Sequence, residues 1–340
     1  MVSNEDASAA IGELIRQQSA EVRQTRASIP LNIDEAWACG EADLRDKVVV
    51  VTGAGSGFGK GFSLKAGQFG AKVVLSDLRK ESAQKVADEI ASKGGQATAI
   101  ACNVTKWEDQ VKMFRHARDT FGHVDIVVAN AGIAEPPTAR FLDFRTENGE
   151  PTKPALPTVD VNLIGLMYTT KLAFFHMREN PAKDGKSIVL LGSMASFLGI
   201  PGAPAYGATK HAVLGLMRSL YFDAHVYGIR INTVHPFFVK TNIFGLIPTL
   251  LLTGIPLPTV DDVVAAITAA ACKVSSNGAA FVVDFKGILE IPYSASASEE
   301  NGGYYAIFAR RAQGALSLGK YVFDIVAAFS GALSGRRPLQ

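Results

Sequence analysis

Apolar residues in this chain gather into short unbroken runs, separated by longer stretches where they recur every three or four positions. The runs at Val48–Thr52, Lys72–Ser76, Ala97–Cys102, Ile126–Ala129, Ser187–Gly192, Ile229–Val234 and Ala280–Asp284 show no in–out alternation. Parallel strands covered on both faces read this way. Between them, residues 58–69, 80–93, 106–121, 158–178, 206–226 and 260–273 carry helical periodicity. Such alternation predicts an α/β fold, a doubly wound parallel sheet of about seven strands with helices on both faces and right-handed crossovers.

The two ends fall outside this pattern. Residues 1–44 read as an N-terminal extension, with Ile11, Leu14, Ile15, Gln18 and Val22 on one helical face before Pro30 breaks it. Residues 288–340 read as a C-terminal extension. Tyr304, Tyr305, Ile307 and Phe308, then Tyr321, Val322, Phe323, Ile325 and Val326, make it an apolar arm that packs on the body or covers a subunit. Its basic clusters, Arg310-Arg311 and Arg336-Arg337, are too thin to favour membrane contact. The domain between runs from 45 to 287, and within it residues 242–258 are apolar yet broken by Gly and Pro.

Composition narrows the picture. With 340 residues, 48% hydrophobic and 19% charged, the chain can build a full core without staples. Lys and Arg total 34 against 32 Asp and Glu, a net charge of +2, so the strong basic field of a nucleic-acid binder is missing. Cys39, Cys102 and Cys272 are too few and too scattered for a disulfide framework or a zinc site, and no metal is expected. They read as reduced thiols in a cytoplasmic protein. Glu5, Asp6 and Glu13 are at odds with a secretory leader. The chain has no run of eighteen uncharged apolar residues to suit a spanning helix.

Two places carry chemistry. Thr52-Gly53-Ala54-Gly55-Ser56-Gly57-Phe58-Gly59 follows a predicted strand and opens a predicted helix. Glycines let the backbone turn sharply and approach a pyrophosphate, whose charge is met by the helix N-terminus. Asp77 ends the next strand, placed to accept from an adenosine ribose diol and to repel a 2′-phosphate. Ser56 stands where a basic residue would favour that phosphate, and Arg79 is the one cation nearby, so NAD is favoured over NADP.

Tyr206-Gly207-Ala208-Thr209-Lys210 sets a phenol and an ammonium at i and i+4 on one helix. A free tyrosine, with a pKa near ~10, is a poor base at neutral pH, and a cation one turn away favours the phenolate. The pair is common on amphipathic helices and gains meaning from Ser193, which ends a buried strand thirteen residues earlier. A serine at the carboxyl end of a parallel strand faces the crevice where α/β sheets bind ligands.

These residues, with Asn130-Ala131-Gly132 and Asn162 in the same order, resemble the short-chain dehydrogenase/reductase family over roughly residues 45–285, and within it most look like the 15-hydroxyprostaglandin dehydrogenase-like branch. The resemblance implies a Rossmann-type fold with Tyr206 as general acid/base and Ser193 bonding the substrate oxygen. Lys210 would bind the nicotinamide ribose and lower the tyrosine pKa, and Asn162 would hold a water leading from Lys210 to solvent. Thr52, Gly53, Ser56, Gly57, Phe58, Gly59, Asp77, Val104, Asn130, Ala131, Gly132, Pro236, Val239 and Thr241 match cofactor-contacting positions, as do Tyr206 and Lys210. Asn103 stands at the adenine edge where an Asp is usual, able to accept or to donate. Phe237 replaces a usual glycine, so its ring either turns from the nicotinamide or reshapes the pocket. The resemblance also implies a homodimer or homotetramer through helices 158–178 and 206–226, with the stripe Val213, Leu214, Leu216, Met217 and Leu220 serving the interface or the core. Residues 242–258 would form a substrate lid.

The segments Ile133–Pro137, Met194–Pro201 and 242–258 are apolar, with Arg140 and Lys240 only at their margins. A bulky, hydrophobic secondary alcohol or ketone is the expected substrate. The competing readings are a non-redox step on the same scaffold (dehydration, isomerisation or cyclisation) and an NAD-binding protein without turnover.

Overall fold

The computed structural model describes residues 28–139, 141–142, 144–180, 182, 185–239 and 256–293. The expected helix near Ile11, the positions Arg140, Lys240 and Thr241, most of the 242–258 lid and the aromatic arm beyond 293 lie outside these residues.

In chain order the elements are β1 (Ile29–Leu31), α1 (Ile33–Asp43), β2 (Val48–Thr52), α2 (Gly57–Gln68), β3 (Lys72–Asp77), α3 (Lys80–Ser92), β4 (Gln96–Ala101), α4 (Trp107–Phe121) and β5 (Ile126–Ala129). A two-residue hairpin, β6 (Thr146–Glu147) and β7 (Glu150–Pro151), turns at Asn148-Gly149, both in the left-handed region that such turns need. Then follow a single turn α5 (Pro157–Val159), a π-helical segment (Asp160–Gly165), α6 (Leu166–Glu179), β8 (Ser187–Leu191), α7 (Pro204–Val226), β9 (Arg230–Pro236), α8 (Val260–Cys272), β10 (Ala280–Asp284) and β11 (Gly287–Ile291).

Nine strands form one sheet in the order β1-β11-β10-β9-β8-β5-β2-β3-β4. The seven expected strands are its parallel body. The other two correct the sequence reading: β1 comes from the presumed N-terminal extension and pairs antiparallel with β11, which crosses the presumed boundary at 287 and pairs antiparallel with β10. Residues 28–43 and 288–291 thus belong to the sheet and its cover.

Val48, Val49, Val50 and Val51 are all fully buried, because helices lie on both faces. Val49 and Val51 face a core shared with Phe62 and Ala66 of α2, Val86 and Ile90 of α3, and Val263 to Ala271 of α8. On the other face α4, α6 and α7 pack against the sheet. Val213, Leu214 and Met217 of α7 are buried within the chain, so core packing accounts for most of the stripe that was weighed as an interface. No helix among the described residues is long and apolar enough to cross a membrane.

The strand order reverses beside β2, since β3 and β4 run to one side of it and β5 and β8 to the other. The crevice outside the carboxyl ends of the strands at such a switch is where open α/β sheets bind ligands.

Candidate active site

A cleft of about 310 Å3 opens at that switch, with Asp77, Asn103 and Gly57 lining one part and Ser193, Tyr206 and Lys210 another. Of the residues singled out in the sequence, Gly53, Ser56, Phe58, Val104, Asn130, Ala131, Gly132, Pro236 and Val239 also line it. Thr52, Gly59 and Asn162 do not; they hold the lining residues in place.

Thr52 ends β2 and its Oγ1 accepts from the backbone N–H groups of Asn130 (3.0 Å) and Ala131 (3.1 Å) at the end of β5. Asn130 answers by donating its Nδ2 to the carbonyls of Thr52 (2.9 Å) and Gly53 (3.1 Å). Gly59 must be glycine, because a Cβ there would lie 2.4 Å from the Gly53 carbonyl oxygen and 2.5 Å from Asn130 Nδ2. Gly57, at φ +54°, begins α2 with open space where its Cβ would be. The first turn of α2 has no acidic residue, and Ser56 makes no capping bond to it. Its N-terminal N–H groups and positive helix end are therefore available to an anion.

Asp77 accepts from the N–H of Gly55 (3.0 Å, Oδ2) and of Arg79 (3.0 Å, Oδ1), which fixes its carboxylate at the cleft. Asn103 Oδ1 accepts from Thr105 N (3.1 Å) and Thr105 Oγ1 (2.8 Å). Both lone pairs of that oxygen are thus taken, so of the two roles weighed for Asn103 only donation from its amide nitrogen remains open.

At the other end, Ser193 follows β8 and caps a 3₁₀ turn (Met194–Ser196), its Oγ accepting from Ala195 N at 3.1 Å. Ser196 closes the capping box: its Oγ accepts from Ser193 N (3.3 Å) and donates to the Lys210 carbonyl (2.7 Å). The sequence does not announce this link, because a capping box is signalled by Glu or Gln three residues after the cap and here the residue is Ser196.

Tyr206 lies in the first turn of α7, where Ala203 offers no side-chain cap. Glu135 supplies the missing acceptor: its Oε2 takes the backbone N–H of Tyr206 at 3.1 Å. Its partner lies 71 residues away, so no local pattern announces it.

Burial pushes the Tyr206 phenol up from its ordinary value, and a hydrogen bond with Ser193 opposes this. The lowering expected from Lys210 is not found here. Lys210 Nζ lies 5.6 Å from the Tyr206 ring centroid and donates to the Leu191 carbonyl (2.8 Å). Burial drops the ammonium itself to about 8.

Asn162 is buried in the π-helical segment, a local widening that recurs at functional sites. Its Oδ1 accepts from Ile133 N and its Nδ2 donates to Ile133 O, both at 2.8 Å. The side chain therefore braces the strand-end loop after Gly132. Phe237 is buried, with its N–H bonded to Val283 O (2.7 Å) and its ring edge-on to Phe238 at 5.2 Å, and it is part of the cleft wall.

The short chain dehydrogenase family model matches residues 47–249, more than half of the chain. The chain is a member of the short-chain dehydrogenase family. It is 36% identical over 197 residues to cyclohexanol dehydrogenase of Acinetobacter sp. (strain SE19), covering 58% of this chain and 74% of that protein. It is 34% identical over 203 residues to a hydroxynaphthalene reductase-like protein Arp2 of Metarhizium anisopliae (strain ARSEF 549), covering 59% and 71%. Among solved structures, a short-chain type dehydrogenase/reductase from Mycobacterium marinum matches with a TM-score of 0.63 at 26% identity, over 75% of this chain and 98% of that one. A 3-ketoacyl-(acyl-carrier-protein) reductase from Brucella melitensis, complexed with NADH, matches at 0.61 and 31%, over 71% and 98%. The family makes this short-chain dehydrogenase an oxidoreductase with a nicotinamide-dinucleotide fold.

Proposed function

We propose that this short-chain dehydrogenase interconverts a bulky, hydrophobic secondary alcohol and its ketone, with NAD as cofactor. One observation carries the reading: a single cleft has Asp77 at one end and Ser193, Tyr206 and Lys210 at the other.

The residues present suit a dinucleotide. The open N-terminus of α2 at Gly57 suits the pyrophosphate, and the Asp77 carboxylate suits an unphosphorylated ribose, which favours NAD over NADP. Asn103 would donate to the adenine edge, and Lys210 would reach the nicotinamide ribose. Ser56, Phe58, Val104, Asn130, Ala131, Gly132, Pro236 and Val239 would wall the cofactor, joined by Thr241. Bound NAD supplies the acceptor of a hydride in oxidation and, as NADH, its donor in reduction.

Tyr206 handles the proton. In reduction its phenol protonates the carbonyl oxygen; in oxidation its phenolate removes the alcohol proton. Ser193 donates its hydroxyl to the same oxygen. Lys210 stays cationic below about 8. Asn162, whose side chain bonds the Ile133 backbone, would hold a water that links Lys210 to solvent.

Val161, Met194, Ile200, Phe237 and Phe238 make the substrate side apolar, and Lys210 is the one cation among the described lining residues. Among the described lining residues, a carboxylate or phosphate substrate finds no cation besides Lys210. The two relatives are named for cyclohexanol and hydroxynaphthalene, which fits a cyclic substrate. The reading includes a homodimer or homotetramer through α6, where Met167 and Phe175 are exposed, and a cytoplasmic setting with free thiols.

The test is turnover of cyclohexanol and bicyclic secondary alcohols with NAD, beside small polar alcohols, for wild type and Tyr206→Phe. The reading expects a preference for the cyclic compounds and a loss of roughly 100-fold or more in the variant, with NAD affinity unchanged. Equal turnover by the variant sinks the role of Tyr206.

A further inference from the structure

Behind Ser193, on the side away from the cleft, sits a histidine that no step above uses. His235 lies one residue before the end of β9 and is completely buried. Its Nδ1 is 3.1 Å from the Ser193 carbonyl oxygen and its Nε2 is 2.8 Å from Thr233 Oγ1. A carbonyl only accepts, so Nδ1 must carry the proton. In the neutral ring Nε2 is then bare and accepts from the Thr233 hydroxyl. The other acceptor near that hydroxyl, Ala279 O at 3.4 Å, is more distant.

Two further contacts press the ring into this place. A Cβ on Gly192 would lie 2.4 Å from His235 Nδ1, so the residue before Ser193 is shaped to admit the imidazole. The ring of Phe197 packs against His235 with centroids 4.8 Å apart. Phe197 follows the 3₁₀ turn and lies between Met194 and Ile200, which line the substrate side of the cleft. The Ser193 N–H is held by Ser196 Oγ, its Oγ takes the Ala195 N–H, and its carbonyl is shared by the Ser196 N–H (2.8 Å) within the turn and His235 Nδ1 from outside it. Among the described residues, His235 is thus the one hydrogen-bonding anchor of Ser193 that comes from another strand.

We propose that His235 is a positioning residue of this enzyme: as the neutral Nδ1–H tautomer it holds the Ser193 backbone, and through Phe197 the substrate wall, in working geometry. It touches neither substrate nor cofactor and moves no proton. The inference rests on the function proposed above for Ser193, and its test separates the two.

Three observations decide it. Asn can place its Nδ2 where Nδ1 stands, whereas Leu fills the space without donating. A purely structural role ranks His235→Leu at or above His235→Asn, since Asn leaves a void and a second buried polar group. Positioning ranks them the other way in turnover. The expected result is kcat down roughly 10- to 100-fold in His235→Leu, partly restored in His235→Asn, with NAD affinity within about 2-fold of wild type in both. Equal losses in the two variants, or near-wild-type turnover by His235→Leu, overturn the inference. Independently of turnover, long-range proton–nitrogen NMR of the wild-type protein labelled at its six histidines should show one ring, lost in His235→Asn, as the Nδ1–H tautomer. An Nε2–H signature overturns the inference even in an active enzyme. Wild-type protein inert towards every alcohol and ketone sinks the proposed function instead, while the spectrum still decides the bond to Ser193.

Discussion

Acid should unfold this protein partly through one side chain. Burial holds His235 at about 3, against 6.5 for an ordinary histidine. Between those values the unfolded chain binds a proton that the native chain refuses, so stability falls as pH falls. Each pH unit well below 6.5 costs about 1.4 kcal/mol, and from pH 8 to pH 4.5 the share of His235 reaches about 3 kcal/mol. Replacing it by Leu removes this share alone, because His123, Asp125 and the other titrating groups remain in both proteins. The assay is urea unfolding of wild type and His235→Leu at pH 8, 6.5, 5.5 and 4.5. The difference in unfolding free energy, wild type minus variant, should drop by about 3 kcal/mol across the series, almost all of it below pH 6.5. A flat difference refutes the reasoning, since it means that the imidazole gains its proton as easily folded as unfolded.

Asp77→Ala should weaken NAD binding and narrow the preference over NADP, as read by calorimetry; tight NADP binding by the wild type would shift the assignment to Arg79. Glu135→Ala removes the acceptor from the Tyr206 N–H and should cost about 1 kcal/mol in thermal unfolding, with Glu135→Gln retaining much of it. Because burial raises the Tyr206 phenol, the phenolate fraction grows with pH, so alcohol oxidation should quicken from pH 7 to 9 while ketone reduction does not. A steady-state pH profile in both directions checks this, and an oxidation rate that falls over that range contradicts it.

The parallel body was legible because its strands are buried on both faces: β2, β5 and β10 begin and end where their apolar runs do. The added strands were not. β1 has three residues including Pro30, which only an edge tolerates, and its partner is at the far end of the chain. α1 hid for a different reason. Its buried residues are Ala36 and Gly40, and a Cβ on Gly40 would lie 2.4 Å from Thr268 of α8. Close packing on small residues leaves no apolar stripe to read. The glycine-rich turn, Asp77, Ser193, Tyr206 and Lys210 could be read because each sits at a strand end or a helical spacing, and the cleft gathers them. Glu135 and His235 act on partners 71 and 42 residues away, a relation that periodicity does not encode. The π-helical segment, which alters helix geometry around Asn162, leaves no mark in the spacing of apolar residues.

The pairing of Ile29 with Glu290 has a consequence for how this protein is made. β1 is among the first of the described elements to leave the ribosome, yet its hydrogen-bonding partner emerges only after every other strand of the sheet. The β2–β3–β4 half can pair during translation, while β1 waits with an open edge until synthesis has passed residue 291. The final seam of the sheet therefore forms late, and its long loop closure makes it a slow step. A circular permutant that fuses β11 directly to β1 would turn that seam into a local hairpin and should bring it to the front of the folding order.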